Sequence, residues 1–335
     1  MKSFQDSRIN IAKLTALWGV SESGLGSFLH ALKIPFSGLL LGSFAVIIVT
    51  FIALNSDKKF KTILQATLLV ILIKAIASPH SPITAYVAVL FQGFIGALIY
   101  QIFGVHKISA IMFGVVALLE SALQKLLMMV LVFGANIWVA FQEFFAGIAK
   151  QFQIKSLEEI PFVLVSGYVF IYFIVGIIAG LAALKLPKIL HEEYHKIDIK
   201  NLPKPEEFTL SKRQKNKTKI LTFGIILLFI TSVFMFSGSF NKAIYSILRT
   251  FAALGILYFV VAPLFKYFLN QWKAKQESRL NKPLKEVLEF LPQYRNHAKI
   301  AFKLTEYETS ILRKLIQFVV IWMSLSLYHE EGIEN

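Results

Sequence analysis

Apolar residues come in long runs with short polar breaks, at about 9–34, 36–54, 62–78, 84–103, 108–134 and 160–185. A helix rises about 1.5 Å per residue, so roughly 20 residues cross a hydrocarbon core, and the six runs have that length. Two further runs lie at about 219–237 and 243–268, and a last one at 311–328. The pattern predicts an all-α fold, a polytopic membrane helical bundle. Residues 1–188 form its six-span block and 189–218 a basic cytoplasmic linker. Residues 219–335 carry two or three further spans and basic cytoplasmic helices over 269–310.

The breaks carry the orientation. Met1–Lys13 holds Lys2, Arg8 and Lys13, loop 55–61 reads NSDKKFK, loop 104–107 reads GVHK, and Lys185–Lys219 is the most basic segment. The alternate breaks, Ile34–Ser37 and Ser78–Thr84, hold no Lys or Arg. Positive residues stay on the cytoplasmic side, so both ends of the six-span block are expected there, in a bacterial inner or plasma membrane. Within the outer connection 135–159, Ile137, Phe141, Phe144, Phe145, Ile148 and Phe152 share a helical stripe. That stripe reads as an amphipathic helix on the membrane surface, or as an extension of the fifth span. Pro187, Pro203 and Pro205 are expected to break helices in the linker, and Pro283 and Pro292 to interrupt the segment 269–310. The run 311–328 begins with Arg313 and Lys314 and reads as a short ninth span or a membrane-lying helix.

Composition narrows the function classes. The chain of 335 residues is 56% hydrophobic and 16% charged, with net charge +15 and mean hydropathy +0.63. A basic balance can mean nucleic acid, but here the basic residues sit in loops between apolar runs, which fits anionic lipid headgroups and not nucleic acid. With no Cys, thiol catalysis and thiolate metal sites are excluded. Asp6, Asp57 and Asp198 are the three Asp, all outside the apolar runs, and no nucleotide-binding motif is present. No cofactor is expected. Met1–Asn10 is polar, so no cleavable signal peptide is expected either.

Some polar residues fall inside the runs. An ionisable group in a membrane span is costly unless paired, and marks a site by default. Glu22 and His30 share a face of the first span with Gly26, Glu22 near the midplane and His30 near the outer surface. Lys74 lies in the outer half of the third span and His80 in the outer turn SPHSP. Gln92 lies near the middle of the fourth span. Glu120, Gln124 and Lys125 run from the midplane outward on the fifth. A common depth at or beyond the midplane suits a solute pocket open to the outside. A buried structural Glu–Lys pair explains any one of these residues equally well. The mix of Glu, Lys and His suits a small zwitterionic or anionic solute, with a metal ion through His30 and His80 as the other option.

His191-Glu192-Glu193-Tyr194-His195 matches H-E-x-x-H, in which two His on one helix face bind zinc and the Glu acts as base. It would make the protein a membrane zinc protease with His191 and His195 as metal ligands. Against that, no third ligand follows, Glu193 is charged, and the segment leads into a Pro-containing basic linker. A charged helix leaving the membrane accounts for the same residues.

On the first helix, Ala12 and Ala16 stand in small-xxx-small spacing, with Gly19 and Trp18 following. Small residues let two helix backbones approach closely. With ALKIPFSGLLLG at 31–42, six spans and both ends inside, residues 1–188 resemble a substrate-binding (S) component of an energy-coupling-factor transporter. The resemblance implies uptake of a small molecule without enzymatic activity, and a contact face for a coupling subunit at Ala12, Ala16 and Gly19. ATP-driven transport would need partner ATPases. Residues 189–335 extend beyond that pattern. They loosely resemble the coupling subunit but lack its Ala-Arg-Gly docking motif, Ala298-Lys299 being nearest. The reading from a different class is a structural or assembly protein working through the basic surfaces Lys185–Lys219 and Lys266–Lys299.

Overall fold

The computed structural model describes residues 9–25, 37–78, 81–134, 160–198, 240–308 and 310–329, with single positions at 138, 142 and 202. Among these residues there is no strand. The helices are α1 Ile11–Val20, α2 Ser37–Leu54, α3 Lys59–Ala77, α4 Ile83–Phe103, α5 Lys107–Phe133, α6 Ile160–Lys196, α7 Phe240–Gly255, α8 Ala262–Leu304 and α9 Ile311–Tyr328. Five stretches are long and apolar enough to cross a membrane: Lys59–Ala77, Ile83–Phe103, Lys107–Val132, Phe162–Lys196 and Leu248–Phe265, while Gly38–Leu54 is a shorter apolar helix. The expected run 219–237 and the expected surface helix 135–159 lie outside the described residues, save 138 and 142.

Three prolines do not act as expected. α6 runs through Pro187 to Lys196, and α8 runs through Pro283 and Pro292. A proline in a helix forfeits one hydrogen bond and crowds the carbonyl four residues back. Packing on either side offsets that cost: Leu190 beyond Pro187, and Val287 and Tyr294 astride Pro292, are buried. The Tyr328 hydroxyl also donates to the Pro187 carbonyl at 3.4 Å. Helix α7 continues through a π-helical stretch, Ile256–Val261, directly into α8.

The chain divides into two units, the first of Met1–Ser121, Tyr172–Glu207 and Asn270–Asn335, the second of Ala122–Ile171 and Phe208–Leu269. In the first unit, glycines set how closely the helices pack. A Cβ on Gly96 of α4 would stand 2.6 Å from Val49 of α2 and 2.9 Å from Phe113 of α5. Beside it Tyr100 packs edge-on to Phe113, with centroids 5.5 Å apart, and shares a buried 2.6 Å hydrogen bond with Thr50. Gly93 of α4 lies against the Thr67 side chain of α3. On α5 and α6, Ala110, Gly114, Gly176 and Gly180 bring backbone against backbone. A Cβ on Gly176 would be 2.8 Å from the Gly114 oxygen, and one on Gly180 2.7 Å from the Ala110 carbonyl carbon. This is the close crossing that small-xxx-small spacing permits in apolar surroundings.

The same unit holds the far end of the chain. Trp322 of α9 is buried, stacks on Phe44 of α2 with centroids 5.7 Å apart, and donates from Nε1 to the Tyr294 carbonyl of α8 at 2.9 Å. Tyr294 in turn donates from its hydroxyl to the Lys13 carbonyl of α1 at 3.2 Å. Residues 322–327 of α9 are all buried, whereas Arg313, Leu315 and Ile316 near its start are exposed. In the second unit, the guanidinium of Arg249 lies about 3.2 Å from where a Gly134 Cβ would stand, at the end of α5 where Gly134 takes φ 86°. That left-handed conformation suits glycine and ends the helix. The apolar face of Leu248–Phe265 is almost wholly exposed, with Tyr258 and Phe259 prominent.

Candidate functional site

The first buried polar group forms where α1 ends. Two serine hydroxyls there turn back on the helix: Ser21 donates to the Trp18 carbonyl at 2.7 Å and Ser23 to the Gly19 carbonyl at 2.6 Å. Hydroxyls that bond carbonyls three or four residues back compete with the helical ladder. Residues Ser21–Leu25 accordingly form a π-helical turn, a wider form frequent at functional sites. This turn presents Glu22, whose Oε2 accepts from Lys74 Nζ at 2.6 Å, with side-chain exposures of 6% and 4%. Ser78 Oγ donates to the Ser23 carbonyl at 3.0 Å beside it. Lys74 is in the last turn of α3, so the pair sits toward the end of that helix and not at its middle.

The second polar group lies around Gly42 of α2. Where a Cβ on Gly42 would stand, Ser121 Oγ of α5 is 3.6 Å away, Leu118 Cδ1 3.6 Å, and Gln92 Nε2 of α4 3.7 Å. Gln92 is 3% exposed, and its Oε1 has no hydrogen-bond partner among the described residues. Glu120 precedes Ser121 on the same turn of α5, and its buried Oε2 is likewise without a partner among them. Buried polar atoms left unsatisfied cost free energy, about 1–3 kcal/mol each, and call for a reason.

The remaining expected residues fall as follows. His30 and His80 lie outside the described residues. Gln124 and Lys125 lie in the second unit, Gln124 half-buried and Lys125 exposed. Ala16 is fully buried within the chain, and a Cβ on Gly19 would stand 2.9 Å from Ile73 of α3, so this part of the small-residue face packs on the chain's own helices; Ala12 is half-buried. His191 and His195 lie side by side near the end of α6, ring centroids 4.5 Å apart, and His195 Nδ1 donates to the His191 carbonyl at 2.8 Å. Among the described residues no group of three or more His, Asp or Glu is placed to hold a metal ion.

Two features were missed in the sequence. The α5–α6 crossing is announced by Ala110-x-x-x-Gly114 and Gly176-x-x-x-Gly180, the same small-residue spacing as Ala12 and Ala16 on α1. His297 of α8 is buried, with its ring 5.6 Å from His329 and 6.1 Å from Tyr294. Burial, with lesser contributions from His329 and Lys13, pushes its imidazole down to about 4. No sequence signal separates this histidine from the polar residues around it.

The described residues define a class: an all-helical chain with five helices long and apolar enough to cross a membrane, and with polar groups buried between its helices. No family model matches the chain, and no curated protein or solved structure matches it.

Proposed function

We propose that the protein is an integral membrane protein that binds and takes up a small solute, in the manner of an energy-coupling-factor S component, with its N-terminus cytoplasmic. The observation that carries this reading is a pair of buried acceptors with no partner among the described residues, Gln92 Oε1 on α4 and Glu120 Oε2 on α5. In an apolar bundle such atoms are costly, and a bound solute supplies the missing donors. The Glu22–Lys74 pair takes a different part. Its charges cancel each other, so it ties the turn after α1 to α3 and leaves the solute to Gln92 and Glu120. Transport would be driven by a coupling subunit and ATPases.

The test is native mass spectrometry of the full chain purified in mild detergent, joined to a thermal-shift screen of small solutes. A copurified or stabilising solute whose binding is lost in Gln92→Leu and Glu120→Gln supports the proposal. Hits that bind both variants as tightly as wild type refute the site. The assembly reading draws on α8, which exposes Lys282, Lys285, Arg295 and Lys303. Affinity capture of the full chain separates the two: ATPase subunits favour uptake, and a stable complex of another kind with no solute dependence favours assembly.

A further inference from the structure

Away from the solute site, the corner where α8 gives way to α9 gathers exposed apolar residues within a basic rim. Thr305 is buried there, and its hydroxyl donates to the Ala301 carbonyl at 2.9 Å. Backbone bonds from Glu306 to Lys303 and from Glu308 to Thr305 carry the chain on as a turn. Lys314 of α9 reaches back over that turn. Its Nζ donates to the Glu306 carbonyl at 3.2 Å and stands 5.5 Å from the Phe302 ring centroid. The start of α9 is thereby held against the end of α8. Around this contact Phe302, Leu304, Leu315 and Ile316 are exposed, and Tyr307 is 91% exposed. Apolar side chains gathered at one exposed place mark a contact surface. We propose that this corner sits in the headgroup layer of an anionic membrane leaflet.

The occupant follows from charge and from place. Arg295, Lys303 and Arg313 are exposed and Lys299 and Lys314 half-buried, against the two carboxylates Glu306 and Glu308. Apolar side chains interleaved with cations match a leaflet, whose acyl chains lie just beneath its anionic headgroups. Lys and Arg stems lie along the apolar layer there while their charges stay at the surface. The core of a protein–protein interface is instead depleted of charge. Tyrosine also favours the membrane boundary, with its ring in the apolar layer and its hydroxyl in the polar one. The anchoring of the two helices agrees. Tyr294 of α8 bonds the Lys13 carbonyl near the start of α1, and Tyr328 of α9 bonds the Pro187 carbonyl just past the apolar run of α6. Both partners stand at basic ends of apolar runs, where a membrane surface is expected. This inference rests on the membrane class of the protein and not on the solute site.

The experiment places the full chain, with Tyr307→Cys carrying an environment-sensitive fluorophore, in nanodiscs of phosphatidylcholine with and without phosphatidylglycerol. The chain has no other cysteine, and Tyr307 is exposed, so the label leaves the packing intact, which thermal unfolding checks. Lipids carrying a nitroxide near the headgroup or near the chain end report depth. The expected result is blue-shifted emission in the anionic discs, quenched more by the shallow nitroxide than by the deep one. Each basic residue at an anionic surface is worth about five-fold in partition, so Arg313→Gln with Lys314→Gln should lose most of the quenching. Leu315→Ser with Ile316→Ser should lose it too. If either pair fails to fold, Arg313→Gln alone decides. Stronger quenching by the deep nitroxide would place the corner among the acyl chains, as part of a span, and overturns the proposal. So does the absence of quenching in both discs, which would put the corner in water or under a protein. Quenching indifferent to phosphatidylglycerol or to the substitutions overturns it as well. None of these outcomes bears on solute binding at Gln92 and Glu120.

Discussion

The Glu22–Lys74 pair allows a quantitative test. At 2.6 Å, with both side chains almost fully enclosed, the attraction is about 6 kcal/mol at an effective dielectric constant of about 20. Desolvation of two ions costs several kcal/mol each, so the net value of the pair is small, but the value of keeping both members is large. Lys74→Met leaves the Glu22 carboxylate buried without its cation, and Glu22→Leu leaves the Lys74 ammonium buried without its anion. Each substitution should cost about 3–5 kcal/mol of stability. The double replacement Glu22→Leu with Lys74→Met removes both charges and keeps apolar bulk, and should fall within about 1 kcal/mol of wild type. Unfolding in mixed detergent micelles, followed by circular dichroism, gives the four corners of the cycle. Single replacements that each cost less than about 1 kcal/mol would refute the reasoning, as would a double replacement no more stable than the singles. The first result would mean that water reaches the pair. The second would mean that packing, not charge, sets the cost.

Other parts of the molecule make independent predictions. Gly180→Leu, at the backbone contact with Ala110, should destabilise the fold by at least the 1–3 kcal/mol of an overpacked core. Unfolding followed by circular dichroism checks this, and a Gly180→Leu variant as stable as wild type would contradict the close crossing. Trp322→Ala should cost about 3–5 kcal/mol and expose α9 to protease, since it removes the stack on Phe44 and the bond to Tyr294; unchanged cleavage would count against the docking of α9. His297 titrates near 4 when folded and near 6.5 when unfolded, so the unfolded chain binds the proton more tightly. Its effect on stability is absent above about pH 6.5, grows as pH falls toward 4, and reaches about 3 kcal/mol of destabilisation. Against His297→Leu, wild type should therefore lose relative stability between pH 7 and pH 4.5; parallel pH profiles would show that the imidazole is open to solvent.

Helix positions were legible because hydrophobic run length reports directly on the cost of leaving backbone or side chain in an apolar medium. The runs at 36–54, 62–78, 84–103 and 108–134 correspond to α2, α3, α4 and α5 within a few residues, and 311–328 to α9. Prolines misled because local strain is judged against tertiary packing that the sequence does not display. Pro187 reads as a breaker in isolation, yet Leu190 and Tyr328 hold the helix together past it. Glu22, Lys74, Gln92 and Glu120 were recognisable as polar residues out of place, since their types and their positions inside apolar runs are written in the chain.

What each of them does was not. Pairing is a matter of distance between residues 52 apart in sequence, and only the fold brings Lys74 Nζ onto Glu22. That contact removes both from the list of free charges, while Gln92 Oε1 and Glu120 Oε2 have no hydrogen-bond partner among the described residues. By itself, then, the sequence determined an all-helical chain with long apolar segments and a few buried polar groups, because hydropathy is additive along the chain. Tertiary structure alone decided which of those groups satisfy one another and which stay open, because the free energy of a buried charge depends on the neighbour within a few ångströms and not on its place in the sequence.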